Sequence, residues 1–546
     1  MIIKFPFLET LLNVYFVFVG DILAIKTVRA WEFNSTFPLR SIIPIYISTA
    51  LPLLFLKALS ALCGPVISWY SLTVTVRLVM TLLSLITDYT AMRLAPLMAT
   101  DAVSAAVVVA TSYISLVYYT RTFSNTLESF LFAAVLCVIT PNSRGQIPSF
   151  PSAFVVPSLI VLGVFNRPTF IVYAAVPYLW WLFSDGIRGF MIKAANSMLT
   201  ALPVSLILII CDSIYFGYLD INQLNVADLS NVMKILMQNS TVTPVNFLLY
   251  NIQSDNLAHH GIHPRYTHFA INLPLLFNIL SLGFFYDVFT THLRFHNRKL
   301  LSMYREFVVS LLCCVVPVGL LSLFPHQEPR FLIPLLPVFA ALYTRSLSSN
   351  LGYFYSPLTP LWIIANILGC LFYGCFHQAG ILPCLGHLQQ TQSTTVDRHV
   401  IFWHTYTAPQ YLLLTPDPPH SGDTILISLE GNSIEDLIHR LALVNNSQPV
   451  CRREKTEVLL AAPSSEHYYL VCKTADAGIR LDLYQSFWPH FSTEHPPGME
   501  DVLCRTPTSN CHTSTDTNDD DDFCSKTLME RIRLLTSLNL YKVTFS

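Results

Sequence analysis

The sequence predicts an α-helical polytopic membrane protein of about 10–12 transmembrane helices, followed by a small α/β domain. Three observations predict it. The 546 residues are 53% hydrophobic with a mean hydropathy of +0.49. Only 12% are charged, about half the share of an ordinary soluble domain. Long apolar runs alternate with short polar punctuation up to residue 385, and from residue 389 the composition turns soluble. The expected domains are therefore a transmembrane part, residues 1–388, and a C-terminal part, residues 389–546. This composition excludes a soluble enzyme, a disordered chain and a fibrous protein. A net charge of -2, from 32 basic and 34 acidic residues, gives no support for a nucleic-acid partner.

A crossing helix needs about 20 apolar residues. Residues 5–25, 42–62, 66–86, 103–119, 127–140, 191–215, 269–289, 307–324, 331–343 and 361–376 qualify or nearly so. Lys4 precedes the first run, but no small-residue cleavage site follows it, so it reads as an anchor rather than a signal peptide. Residues 153–183 are interrupted by Asn166, Arg167 and Pro168 and count as one broken crossing. Such breaks are tolerated where they line a polar cavity. Eleven crossings follow from these segments.

Orientation follows from the densest basic loop, His292, Arg294, His296, Arg298 and Lys299, which belongs on the cytosolic side. Counting crossings outward places residues 212–267, residues 326–330 and the C-terminal domain on the lumenal side. The glycosylation sequons at Asn34, Asn239 and Asn445 fall on that same side.

In the C-terminal part, residues 424–429, 458–461 and 468–472 read as strands. Residues 433–444 read as a helix capped by Asn432 or Ser433, with Ile434, Leu437, Ile438 and Leu441 on one face. Five of the 13 cysteines lie here: Cys451, Cys472, Cys504, Cys511 and Cys524. An oxidising lumen permits disulfides, and the odd count leaves one thiol over. Cys504, Cys511 and His512 lack a zinc spacing. The acidic run at residues 519–522 lacks the glycine and glutamate of a calcium loop.

Ionisable residues beside spans are costly and need a reason. Five sets stand out. His326-Gln327-Glu328-Pro329-Arg330-Phe331-Leu332 opens a helix. Arg330 is of the type that grips a phosphate through paired hydrogen bonds, with His326 and Glu328 to orient it or to bind sugar hydroxyls. In Tyr119-Thr120-Arg121-Thr122-Phe123-Ser124-Asn125-Thr126-Leu127-Glu128, Ser124 or Asn125 also suits a plain helix cap. Asn166-Arg167-Pro168-Thr169-Phe170 places an arginine inside an apolar stretch, where it must be paired or face water. Asp212-Ser213-Ile214-Tyr215-Phe216-Gly217 ends a span with a carboxylate. Asn256-Leu257-Ala258-His259-His260-Gly261-Ile262-His263-Pro264-Arg265 carries three histidines, which suit a polar ligand at least as well as zinc.

Together these sets resemble glycosyltransferase family 22, the multi-spanning mannosyltransferases of the endoplasmic reticulum that use dolichyl-phosphate mannose. Residues 326–332 look like that family's most recognisable signature. Gly20-Asp21-Ile22-Leu23, Trp31-Glu32-Phe33 and residues 120–125, 166–170, 243–251, 260–265 and 377–384 look like the branch that adds the fourth mannose to the glycosylphosphatidylinositol (GPI) precursor. The similarity runs from about Gly20 to Leu388 and is weak over the acidic tail.

The resemblance implies a GT-C-type membrane fold with a lumenal C-terminal domain, a multi-pass location in the endoplasmic reticulum, and neither cofactor nor metal. The implied partners are dolichyl-phosphate mannose, a GPI-precursor glycolipid and membrane lipids, with no nucleic acid. Donor and acceptor binding is expected from Arg121, Asn125, Arg167, Asp212, His260, His263, Arg265, His326, Glu328 and Arg330.

One departure concerns the catalytic acid. The family carries a lumenal His-Pro-Asp-Glu-type motif ahead of its Gly-Asp-Ile-Leu segment, whereas residues 5–19 here run straight into Gly20. An inverting transfer needs a carboxylate to take the proton from the attacking hydroxyl, and the departing phosphate needs positive charge. Asp21 and Glu32 border the first lumenal loop and are the remaining candidates for the acid. The departure implies an incomplete or alternatively spliced chain, or an impaired relative. The sequence also admits an enzyme of lipid-linked N-glycan precursors and a transporter, though the internal repeats expected of a transporter are not evident.

Overall fold

The computed structural model describes the chain apart from residues 1–19, 28–30, 142–148, 221–228, 254–262, 295–304, 348–355, 393–395, 417–422, 447–455, 494, 499–525 and 546. The described residues form two compact units. One comprises Arg29–Phe55 and Val74–Gly369; the other comprises Met1–Val28, Leu56–Thr73 and Cys370–Ser546.

The first unit is helical. Among the described residues, five helices are long and apolar enough to cross a membrane: Ile43–Cys63, Trp69–Met98, Gly186–Tyr215, Pro329–Leu347 and Leu358–Phe376. Shorter apolar helices accompany them, including Ala102–Thr111, α1 (Ser124–Ile139), α2 (Ser149–Asn166) and α3 (Phe170–Phe183). Most of the apolar part of Pro329–Leu347 is buried inside the protein, whereas most of that of Gly186–Tyr215 is not. The latter leaves Met191, Met198, Leu199 and Leu202 exposed, an apolar surface suited to lipid rather than water.

Several expected spans are interrupted. Residues 153–183 are not one broken helix but two, α2 and α3. Pro168 cannot donate a helical bond, and the Phe170 ring packs so closely on Gly163 that a Cβ there would overlap it. The run 103–119 leaves helical geometry at Ser112, and Asn366 Oδ1 accepts the freed Tyr113 N–H at 2.8 Å. The run 269–289 breaks at Asn278, whose φ is +49°. Ser124 and Asn125 do not cap α1: Phe123 holds that position without a side-chain bond. Both side chains are instead recruited as acceptors by Arg167.

The second unit contains a five-stranded sheet of order β2-β1-β3-β5-β4, formed by β1 (Asp397–Trp403), β2 (Thr424–Glu430), β3 (Thr456–Pro463), β4 (Ile479–Phe487) and β5 (Leu538–Phe545). β2, β1 and β3 run parallel, and β5 pairs antiparallel with both β3 and β4. Parallel neighbours need crossovers. The crossover from β2 to β3 is α4 (Ile434–Asn446), which buries Ile434, Leu437 and Leu441 against Ile401, Trp403 and Leu460. Ser433 caps it, its Oγ accepting Asp436 N–H at 3.2 Å.

Residues 468–472 are not a strand but lie in the helix α5 (His467–Asp476). Leu470 and Thr474 are its buried residues, one turn apart on a single face. The chain needs this helix to return from β3 to the parallel β4.

Cys472 is a free thiol. Cys451, Cys504, Cys511, Cys524, His512, the acidic run 519–522, most of residues 5–25, His259, His260 and the basic residues His296, Arg298 and Lys299 lie outside the described residues.

Candidate active site

Three segments of the helical unit bring arginines and glutamates together. The first is the loop ahead of Ile43. Its Glu32 lies in a single turn, Trp31–Phe33, and the Glu32 carbonyl accepts Leu39 N–H at 2.9 Å. That closure presents Arg40, whose Nη2 donates to Glu32 Oε1 at 2.9 Å and whose Nη1 donates to the Asn166 carbonyl at 3.2 Å. Both side chains are buried.

The second segment is the turn between α2 and α3. Asn166 Nδ2 donates to the Ser124 carbonyl at 2.9 Å. Arg167 Nη1 donates to Ser124 Oγ at 3.0 Å and to Asn125 Oδ1 at 3.4 Å. Thr169 Oγ1 accepts from Arg167 Nε at 3.3 Å and donates to Glu128 Oε1 at 2.8 Å. Glu128 is buried in α1 with an oxygen 3.8 Å from Arg167 Nε. Buried arginine and carboxylate are thus paired, as removal from water requires.

The third segment begins at His326. Glu328 Oε1 accepts from His326 Nε2 at 2.7 Å and from Arg330 Nη2 at 2.8 Å, and Arg330 Nε meets its other oxygen. Tyr119 donates to the Ile333 carbonyl at 2.8 Å, and Tyr173 donates to that of Phe331. Gln327 is built into the backbone around it: its Oε1 accepts His268 N–H at 2.8 Å, and its Nε2 donates to the carbonyls of Ser322, Phe324 and Arg265.

The segments share one electrostatic neighbourhood. Burial pushes the Glu32 carboxyl up, but Arg40, with Arg167 and Arg330 beyond it, outweighs that and holds it below the usual carboxylate range. Burial likewise acts on Glu328, yet Arg330 and His326 bring it down to about 2. Both are anions at neutral pH. Despite this pairing, Arg40 Nε and Glu32 Oε2 are buried without a hydrogen-bond partner among the described residues, a rare condition that calls for an explanation such as a ligand.

Of the other expected site residues, some adjoin these segments and others do not. His263 packs its ring 5.9 Å from that of His326. Arg265 is exposed and donates to the Leu323 carbonyl. Asp212 is buried, accepting from Ser41 Oγ at 3.0 Å, Ile42 N–H at 3.1 Å and Thr243 Oγ1 at 3.0 Å, which pins the start of the Ile43 helix. Arg121 is half-buried. Asp21 is exposed and belongs to the sheet-bearing unit. His260 lies outside the described residues. Sequence reasoning missed Arg40 and did not place Glu128 in the site. A charge directly ahead of the apolar run 42–62 was the available signal for Arg40.

The family model for Alg9-like mannosyltransferases matches residues 11–415. The chain belongs to the Alg9-like mannosyltransferase family. As a family member it is a glycosyltransferase enzyme with several membrane-crossing helices. Among its relatives, GPI mannosyltransferase 4 of Drosophila melanogaster is 28% identical, the match covering 89% of this chain and 82% of the relative. GPI alpha-1,2-mannosyltransferase 4 of Homo sapiens is 34% identical over 72% of this chain and 70% of the relative. The crystal structure of ArnT from Cupriavidus metallidurans bound to undecaprenyl phosphate matches with a TM-score of 0.49 and 9% identity, covering 89% of this chain and 93% of that one.

Proposed function

We propose that this mannosyltransferase moves mannose from dolichyl-phosphate mannose onto a GPI-anchor precursor, adding the fourth mannose in α1,2 linkage on the lumenal face of the endoplasmic reticulum membrane. The observation that carries the reading is a buried set of arginine–carboxylate pairs, Arg40 on Glu32, Arg167 beside Glu128 and Arg330 on Glu328, with Arg167 and Arg330 near enough to act on the Glu32 charge. The names of the relatives support the acceptor and the linkage.

The chemistry suits those residues. The acceptor hydroxyl oxygen attacks the mannose C1, the C1–O bond to phosphate breaks, and the phosphate oxygen leaves with the electron pair. Guanidiniums favour that departure because negative charge grows on the phosphate in the transition state. The hydroxyl proton passes to a carboxylate. Glu32 is the better-supported acceptor, because its Oε2 is buried and uncommitted while its Oε1 stays anchored to Arg40. Arg40 Nε is a matching uncommitted donor for the phosphate or a sugar hydroxyl.

Microsomes from cells lacking their own fourth-mannose enzyme, expressing this chain and supplied with radiolabelled dolichyl-phosphate mannose, test the reading. A labelled precursor with one additional mannose, removable by an α1,2-mannosidase, is expected. Label appearing on a lipid-linked N-glycan precursor instead would replace the GPI acceptor with the runner-up.

A further inference from the structure

The sheet-bearing unit holds a second cluster of chemistry-bearing side chains, separate from the arginines and glutamates of the helical unit. His404 directly follows β1, and Glu466 lies in the turn that follows β3. These strands are parallel neighbours, so both residues leave the same, C-terminal, edge of the sheet. Parallel α/β sheets bind ligands at that edge. His495 joins them from the segment after β4, and one ligand atom from each of the three lies within 4.8 Å of the others.

The residues are held in place. His404 takes a left-handed conformation, φ +53°, and its N–H donates to the Glu430 carbonyl at 2.7 Å. Its ring stacks on Trp403 on one side, at 3.5 Å, and on His495 on the other, at 3.6 Å and 8°. His495 Nδ1 lies 3.1 Å from Glu466 Oε1. Ser465, next to Glu466, donates to the His495 carbonyl at 2.8 Å, and Ser492 Oγ accepts the His495 N–H at 3.3 Å.

Among the described residues, the buried His404 Nδ1 has no hydrogen-bond partner. A buried ring nitrogen left bare beside a second imidazole and a carboxylate is a ligand atom held ready for an ion.

We infer that His404, Glu466 and His495 form a binding site for a divalent transition-metal ion of the zinc class, clamping the His495 segment to the ends of β1 and β3. Two imidazoles and a carboxylate are a zinc donor set that leaves a fourth position for water. Two nitrogens on a tetrahedral zinc ion stand roughly 3.4 Å apart; the ligand atoms here lie within 4.8 Å of one another, and on binding the two stacked rings tilt so that both lone pairs aim at the ion. The Glu466–His495 contact at 3.1 Å opens as the ion enters between the groups.

The test uses the purified full chain in detergent, stripped with chelator, with zinc alone as the probe. Competition against a fluorescent chelator gives Kd for the wild type and for His404→Ala, Glu466→Gln and His495→Ala, with the exposed His439→Ala as a control. One zinc per chain is expected, weakened at least about tenfold in the three site variants and unchanged in the control. Cobalt substitution should give the visible absorption of a four-coordinate site, lost in the same variants. Glu466→Gln keeps the side chain's shape, so its effect reads the ligand even where an alanine variant misfolds. Zinc affinity unchanged in Glu466→Gln and either histidine variant, or no zinc bound by the wild type, overturns the site.

Discussion

The guanidinium of Arg167 lies 5.3 Å from the ring centroid of Phe331, joining the turn between α2 and α3 to the segment that carries Glu328 and Arg330. Arg330 approaches the same ring at 5.9 Å. An aromatic ring within about 6 Å of a guanidinium attracts it by roughly 0.5–2 kcal/mol. Phe331→Leu keeps apolar volume and removes that attraction. Transfer should fall about 2- to 30-fold, with membrane abundance unchanged. A wild-type rate in the microsome assay would show that the ring does not help position either arginine.

Arg330→Ala removes a buried cation and leaves the buried Glu328 with its hydrogen bond to His326. A charge-assisted hydrogen bond contributes about 1.5–3 kcal/mol, so transfer should fall tenfold or more. Arg330→Lys retains the charge without the paired geometry and should lie between the two. Rates normalised to protein in the membrane separate the chemical loss from a folding loss. Equal normalised rates for all three would remove Arg330 from the transfer step.

Glu32→Gln preserves the side chain's shape and an acceptor for Arg40. General-base help is worth about 10²–10⁴-fold, and a fall of that size in kcat is expected, with the donor KM changed little. A raised KM with kcat intact would make Glu32 an anchor for Arg40 rather than the proton acceptor. Asp21→Asn, measured alongside, addresses the other candidate.

Asn34 and Asn239 are exposed, and Asn445 sits in the last turn of α4. If the C-terminal unit and the loop after Tyr215 face the lumen, Asn239 and Asn445 are open to glycosylation. Single-sequon variants should each shift in mobility on endoglycosidase treatment. Modification of an engineered sequon inside the basic loop that starts at His292, with none at Asn239 or Asn445, would invert the orientation.

The sheet-bearing unit should lose stability in acid through His490. Its ring nitrogens are buried without hydrogen-bond partners among the described residues. Burial, and then the neighbouring His377, lower its pKa to about 3, against about 6.5 in an unfolded chain. The unfolded state therefore binds the extra proton between those values. Stability is full above about pH 6.5 and declines as pH falls towards about 3, by up to about 1.4 kcal/mol per pH unit. Hydrogen exchange in β4 and β5, corrected for intrinsic rates, should show this slope in the wild type and a shallower one in His490→Asn. Identical slopes would assign the acid sensitivity to other groups.

The membrane character, the strands at residues 424–429 and 458–461 and the helix from Ile434 were legible in the sequence. Each depends on a local pattern of apolar residues, and the transfer of those residues from water is summed along the chain. The same local criterion flagged Arg167, Glu328 and Arg330, because a charge beside an apolar run needs a partner wherever the run packs. It did not name the partners. Residues 468–472 read as a strand because a short apolar run lacks the length to separate strand from helix. The parallel return from β3 to β4 decided for a helix. Tertiary packing alone brought Arg40 to Glu32 and to the Asn166 carbonyl, and His404 to Glu466 and His495. Asn166 and the His404, Glu466 and His495 set are remote in sequence from what they meet, and even for Arg40 and Glu32, eight residues apart, attraction depends on distance in space and on burial, neither of which composition or spacing records.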